Sequence, residues 1–177
     1  MLNLHETQSL SHMNPTITID LPPHLHDYLY HEFGTPRGEE AVRVTAANDL
    51  GKLIQSMITV SDRPPKQSDK EHPITLALPI QEWNHFIFQE NFIYLPEWKQ
   101  HMLRDYIEAS YRIRIREYFV AGYEKQYKQD RIIRAFLYAY NIKNNAMNYD
   151  AVKKYDYRNR QRMVKEVDRD IQLSLFP

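Results

Sequence analysis

Residues 96–162 constrain the fold of this chain more than any other part of its sequence. Apolar residues recur there at spacings of three and four, as they do in helices that bury one face. The pattern predicts three long helices, which begin near Pro96, Ile132 and Asn148. The apolar stripe predicted for the first helix consists of Trp98, Met102, Tyr106, Ile107, Phe119, Val120 and Tyr123.

One segment inside the first predicted helix has a second interpretation. Residues 111–117, YRIRIRE, alternate with period two, which by itself is typical of a strand with three arginines on one face. Both flanking segments have helical periodicity, and Pro96 and Glu97 suit the first turn of a helix. We therefore predict that residues 111–117 are helical.

The first half of the chain predicts short strands that alternate with helices. Ile17, Ile19 and Leu21 alternate with polar residues, which is typical of a half-buried strand. A helix should begin at the prolines that follow, bury Leu25, Leu29 and Phe33 with Tyr28 alongside, and end at Gly34.

This strand-helix unit occurs twice, because residues 74–79 repeat the pattern of residues 17–22. Residues 41–48 predict another strand between the two copies, and residues 49–58 predict a helix that starts near Asp49. The fold class expected is α+β, with a small sheet of about three strands, covering helices and a helical C-terminal half.

Four regions are expected along the chain. Residues 1–14 should be a flexible arm, residues 15–95 the strand-helix region, residues 96–170 a basic helical region, and residues 171–177 a tail.

Composition argues against several classes of protein. The chain has no cysteine, which excludes disulfides, thiolate metal sites and cysteine nucleophiles. It has neither a long apolar run nor a signal-like start, so we expect a cytoplasmic protein without membrane association. The four glycines form no phosphate-binding loop. No GxSxG or HExxH pattern supports a catalytic or metal-binding role for the histidines, which include His24, His26 and His31 beside Asp27. We therefore predict no catalytic residue, metal or cofactor.

Charge is distributed unevenly along the chain. Residues 1–98 contain 6 Lys and Arg against 13 Asp and Glu (6 − 13 = −7), whereas residues 99–177 contain 17 against 10 (17 − 10 = +7). A cationic half of this kind can bind phosphates or an acidic protein. The DNA-binding residues predicted on the long helices are Arg112, Arg114, Arg116, Lys153, Lys154, Arg158, Arg160 and Arg162.

The last two predicted helices are similar in layout to a helix-turn-helix. Asn148 is expected to cap the second of them, whose Tyr149, Val152 and Tyr155 should face inward. An ordinary helical hairpin is the alternative. Double-stranded DNA is the favoured ligand, and exposed tyrosines beside arginines leave single strands possible.

The opening TITIDLPPHL resembles the strand of ribbon-helix-helix repressors, which pair this strand between subunits and insert it in the major groove. Thr16, Thr18 and Asp20 differ from the base-reading residues expected there, and an acid repels phosphate. We interpret this segment as a core strand.

The end of the chain carries the sharpest local signal. Gln172, Leu173, Ser174, Leu175 and Phe176 resemble the bacterial sliding-clamp-binding motif at every position. The resemblance implies that Gln172 binds at the mouth of a clamp pocket and that Leu175 and Phe176 fill its apolar subsites. Packing of the tail on its own body is the alternative.

These features together predict a non-enzymatic, DNA-associated accessory protein of replication or repair that is tethered to the sliding clamp. The alternative is a protein-interaction module whose basic half binds an acidic partner, and an enzyme using the histidine-rich half is a third possibility. The order of elements is also similar to that of small proteins of bacterial mobile elements. The sequence does not indicate an oligomeric state.

Overall fold

A computed structural model describes residues 15–65, 69–80 and 84–174 of the chain. The predicted arm and residues 175–177 lie outside these residues. Within them the chain forms an α+β fold, as predicted, with a three-stranded and a two-stranded sheet. The elements in order are β1 (Thr16–Asp20), α1 (Pro23–Glu32), β2 (Val42–Arg43), α2 (Asp49–Met57), β3 (Thr59–Ser61), β4 (Pro73–Ala77), α3 (His85–Glu90), β5 (Phe92–Tyr94), α4 (Glu97–Glu124), α5 (Gln129–Ala139) and α6 (Ala146–Ser174).

The two copies of the repeated motif pair with each other. β1 lies antiparallel to β4, with Ile17 opposite Leu76 and Ile19 opposite Ile74, and all four side chains are buried. β2 adds to the other edge of β4 in parallel. The prediction that β1 is a core strand is therefore confirmed, and its hydrogen-bonded partner belongs to the same chain. β3 and β5 form the second, antiparallel sheet, which the sequence did not predict.

The short helices begin and end where local chemistry places them. α1 starts at Pro23, buries Leu25 and Leu29, and is followed by Gly34 in the left-handed region at φ +59°. Asn48 caps α2, because its side-chain oxygen accepts a hydrogen bond from the Gly51 amide at 2.8 Å.

α4 is a continuous helix of 28 residues, so the helical interpretation of residues 111–117 is confirmed and the strand interpretation is wrong. Helix formation is cooperative, and the helical flanks decide the conformation of this short alternating run. The buried stripe of α4 has a strict spacing of four and consists of Leu103, Ile107, Tyr111, Ile115 and Phe119.

The predicted stripe of α4 is therefore wrong over its first turns. Trp98, Met102 and Tyr106 are 61%, 53% and 42% exposed. Both sets of residues have helical spacing, and the body of the protein covers only one of the two faces.

α5 and α6 pack against α4 and complete the core through Ile133, Phe136, Val152 and Met163.

The predicted cap of α6 is wrong by one turn. The side chain of Asn145, not Asn148, caps the helix by accepting a hydrogen bond from the Asn148 amide at 2.8 Å. Asn148 is buried instead, and its side-chain Nδ2 donates to the Lys143 carbonyl.

Candidate nucleic-acid interface

α6 buries one face and exposes a basic one. Val152, Asp156, Met163 and Val167 lie against the body of the protein. Spacings of four, four and three residues separate the cations of the opposite face, which places them within about 80° of one another around the helix. We call this set the α6 basic face, and it consists of Lys154, Arg158, Arg162 and Lys165.

All four cations are exposed, and in the part of the chain that the structure describes none of them forms an ion pair. From Lys153 to Lys165 the helix contains six Lys and Arg residues and one acid, Asp156 (6 − 1 = +5). Tyr157 lies in the same segment with its side chain 86% exposed. The segment thus presents positive charge and an accessible aromatic ring to solvent.

Two of the predicted α6 cations lie away from this face. Lys153 is exposed but precedes Lys154 by one residue, and therefore points about 100° around the helix from it. Arg160 turns towards the body, where it pairs with Asp156 at 3.4 Å and its Nε donates to the Tyr123 hydroxyl at 2.9 Å.

The three arginines predicted on α4 do not form one surface, because alternate residues of a helix point in different directions. Arg112 and Arg116 lie on the side of α6, where Arg112 pairs with Glu108 at 2.9 Å and Arg116 binds both oxygens of Glu166. Arg114 lies apart from them and pairs with Glu117 at 3.1 Å.

Part of the predicted set does come together around Tyr155. Burial raises the pKa of Tyr155, and the positive charges of Arg116, Arg112 and Arg162 act in the opposite direction. These three arginines therefore lie close to one ring, although carboxylates neutralise two of them. The α6 basic face continues towards α4 at this point.

Sequence reasoning missed two features of the face. Lys165 was not among the predicted residues, although its spacing from Arg162 and Arg158 fits the same side of a helix. The exposure of Tyr157 required knowledge of which face of α6 the body covers.

The geometry of the α5–α6 connection bears on how DNA could be contacted. Residues 140–145 join the helices, and the Lys143 amide donates to Asp27 of α1 at 2.8 Å. The first turn of α6, residues 146–149, carries no charged side chain, Asp150 follows it, and the cations begin at Lys153. Recognition helices read base edges with their N-terminal residues. The charge of α6 lies further along the helix and suits contact with phosphates.

α6 extends into the predicted tail. Val167 is the last buried residue of the helix that the structure describes, and residues 168–172 are exposed. The helix continues through Gln172, Leu173 and Ser174, about 10 Å beyond Val167. Leu175 and Phe176 lie outside the described residues.

The histidines of α1 make separate contacts. His24 Nε2 lies 3.0 Å from Glu108 Oε2, His26 Nε2 lies 2.9 Å from the Leu21 carbonyl oxygen, and the His31 ring packs on Tyr140. Over the described ranges, no three potential metal-ligating side chains cluster, and no helix has the length and hydropathy to cross a bilayer.

Comparison with protein-family models, with curated proteins and with solved structures finds no significant match to this chain.

Proposed function

We propose that this protein binds DNA through the α6 basic face and is tethered to a bacterial sliding clamp by its C-terminal residues. Its role would be that of a non-enzymatic, cytoplasmic accessory protein of replication or repair. The observation that carries the proposal is the α6 basic face itself, because its four cations are exposed and have no ion-pair partner among the described residues.

The face suits a regular array of phosphates. Lys154 and Lys165 are separated by about 16 Å along the helix axis, and DNA carries one negative charge per roughly 1.7 Å of its axis. A straight, rigid row of this kind favours double-stranded DNA. Tyr157 would add affinity for unpaired bases, on whose faces an exposed ring can stack.

Salt dependence tests this interface. Replacing Arg158 and Arg162 by Ala should weaken binding to unrelated DNA sequences and lower the slope of log K against log salt by about two, because each lost phosphate contact removes roughly one released counterion. The measurement is fluorescence anisotropy of labelled duplex and single-stranded DNA over a range of salt concentrations.

A double variant with the same change in net charge provides the control. Arg43 and Arg134 are exposed, but pair with Glu39 at 2.6 Å and Asp130 at 2.9 Å. Their replacement by Ala should leave the slope unchanged. Equal slopes in all three proteins would contradict the proposed interface, and binding to an acidic protein but not to DNA would favour the interaction-module alternative.

The clamp tether rests on the match of residues 172–176 to the clamp-binding motif. It is supported by the exposure of residues 168–172 near the end of α6, because a segment that extends beyond the body can enter a pocket without a clash. Burying Leu175 and Phe176 would contribute about 1.5 to 3 kcal/mol each, which an ordering cost partly offsets, so we expect micromolar affinity.

Calorimetric titration of a bacterial sliding clamp tests the tether. The intact protein should bind, and the Leu175→Ala, Phe176→Ala double variant should bind at least about tenfold more weakly, since tenfold corresponds to only 1.4 kcal/mol. Met147→Ala removes an exposed apolar side chain outside the motif and serves as the control. Unchanged binding by the double variant would show that the tail is not the tether.

A further inference from the structure

α5 exposes a face that carries both tyrosines and a cation. Arg131 and Tyr138 are seven residues apart, so they lie on the same side of the helix, about 10 Å from each other along its axis. This side is opposite the buried Ile133 and Phe136, and Tyr138 is 89% exposed. Tyr127 precedes the helix, and the Arg131 Cζ atom lies 4.1 Å from the centroid of its ring. We call Tyr127, Arg131 and Tyr138 the α5 outer face.

A cleft between α4 and α5 lies at the N-terminal end of this face. Its volume is about 280 Å³, and its lining includes Lys125, Tyr127 and Arg131 beside the small side chains of Ala121 and Ala135. The attraction between the Arg131 guanidinium and the Tyr127 ring holds both groups in place at the wall of the cleft. A planar ring that enters can stack on the guanidinium or on the tyrosine.

A second cleft lies at the C-terminal end of α5. Its volume is about 620 Å³, and its lining includes Tyr138, Arg134, Asn141 and Asn144. Pockets for drug-sized molecules ordinarily measure about 300 to 1,000 Å³. Each cleft therefore has room for a planar ring as small as a nucleobase, and the second also offers side-chain amides that can bond to the edge of a base.

The charge around both clefts is positive. Residues 124–145 contain five Lys and Arg against two Asp and Glu (5 − 2 = +3). One of these acids, Asp130, pairs with Arg134 at 2.9 Å. Lys125 and Arg131 are exposed, and over the described ranges neither forms an ion pair. Among the described residues no acid lines either cleft, whereas two acids line the cleft between α1, α2 and α4.

We infer that the α5 outer face binds single-stranded nucleic acid, with one unpaired base in each cleft and the phosphates near Lys125 and Arg131. Proteins that bind single strands combine cations, which contact the backbone, with exposed aromatic rings, on which bases stack. The bases of a duplex lie inside its stack and do not reach a cleft. An acidic peptide would pair with the cations but leave two tyrosine rings without a planar partner. The inference concerns a surface other than the α6 basic face and holds whether or not that face binds duplex DNA.

Fluorescence anisotropy with labelled oligothymidine and oligouridine of about 15 nucleotides tests the affinity, and the tighter ligand identifies DNA or RNA as the source of the strand. Tyr138→Ala should weaken binding at least about fivefold, which corresponds to the loss of one stacked base. Tyr138→Phe keeps the ring and should bind like the wild type. Arg131→Ala should lower the slope of log K against log salt by about 0.7, the value for one phosphate contact of a single strand.

Tyr127 has a matched control in Tyr106, since their side chains are 39% and 42% exposed, but Tyr106 lies at the cleft that two acids line. Tyr127→Ala should weaken single-strand binding at least about fivefold, and Tyr106→Ala should not. Equal losses in these two variants, or unchanged binding by Tyr138→Ala, would overturn the inference. So would an equal loss of duplex binding in Tyr138→Ala, because the bases of a duplex cannot stack on this ring.

Photo-cross-linking locates the bound strand. A single strand that contains iododeoxyuridine forms adducts with aromatic side chains that stack on it, and mass spectrometry identifies the modified residues. Adducts should form at Tyr127 or Tyr138, both in the wild type and in the Arg158→Ala, Arg162→Ala variant. Adducts at Tyr157 alone would show that single strands bind at α6, and would overturn the assignment to α5 without contradicting the proposed function.

Discussion

Asp156 lies fully buried where α4, α5 and α6 meet. Its carboxylate accepts hydrogen bonds from the Tyr123 hydroxyl and from Gln129 Nε2, both at 2.5 Å, and pairs with Arg160. Burial and the hydrogen bond to Asp156 raise the pKa of Tyr123 to about 12, so the phenol stays neutral and can donate. One acid in the middle of a basic segment therefore has a structural role, which satisfies polar groups from three helices.

Replacing Asp156 by Ala should lower the free energy of unfolding by about 1 to 3 kcal/mol, because it leaves the partly buried donors of Tyr123 and Gln129 without an acceptor. Asp130→Ala is the control, since Asp130 also accepts hydrogen bonds, from Arg134 and Tyr149, but at an exposed site that solvent screens. Urea unfolding of the two variants measures the difference. Similar losses in both would contradict the structural role of Asp156.

At the scale of elements, two glycines show how closely α2 and α4 pack against neighbouring residues. A Cβ at Gly51, in the first turn of α2, would lie 1.7 Å from the backbone oxygen of Thr45. A Cβ at Gly122 of α4 would meet only the Ile132 side chain, at 2.5 Å. The Cβ at Gly51 would therefore meet backbone atoms, whereas the side chain that the Cβ at Gly122 would meet can move away.

Gly51→Ala should therefore destabilise the protein by more than about 1 to 3 kcal/mol, the usual cost of overpacking, although Ala is favoured over Gly in helices by about 1 kcal/mol. Gly122→Ala should cost clearly less, because the Ile132 side chain can move. Thermal unfolding followed by circular dichroism compares the two. A Gly51→Ala protein as stable as the wild type would show that α2 is not held against the backbone at Thr45.

At the scale of the whole molecule, the sheet half and the helical half share one core cluster, which runs from Ile17 to Met163. Polar contacts also join the halves. His24 of α1 binds Glu108 of α4, and Lys99 of α4 donates to Thr59 of β3 at 3.1 Å. The hydrogen bond from His24, together with Arg112, holds the pKa of Glu108 below its ordinary value of 4.5, although burial acts in the opposite direction.

A carboxyl group whose pKa is lower in the folded state stabilises the fold above its unfolded pKa, and this stabilisation is lost as pH falls through the folded value. Glu108→Gln should therefore be less stable than the wild type at neutral pH, and the difference should shrink below about pH 4.5. Urea unfolding at about pH 7 and pH 3 measures this, with Glu117→Gln, at a more exposed site, as the control. A difference independent of pH would contradict the His24–Glu108 contact.

Local patterns predicted much of the fold because short-range chemistry determines them. Ile17 and Ile19 alternate with threonines and form the buried side of β1, and Leu25 and Leu29 bury one face of α1. The phase of α4 could not be predicted in the same way. Trp98, Met102 and Tyr106 repeat as regularly as Leu103, Ile107 and Tyr111, and only the packing of the other elements determines which set is covered.

In the candidate interface, too, some properties follow from the sequence and others only from the packing of the helices. The sequence by itself determined that the C-terminal half is basic and helical, because charge and periodicity are local properties of the chain. Only the tertiary structure decided which of its cations contact residues of another helix. Arg116 pairs with Glu166, fifty residues away, and Arg160 lies against the ring of Tyr123 from another helix, whereas Arg158 and Arg162 stay exposed. Partners distant in sequence meet only when the helices pack, so the pattern of a single helix could not distinguish these residues.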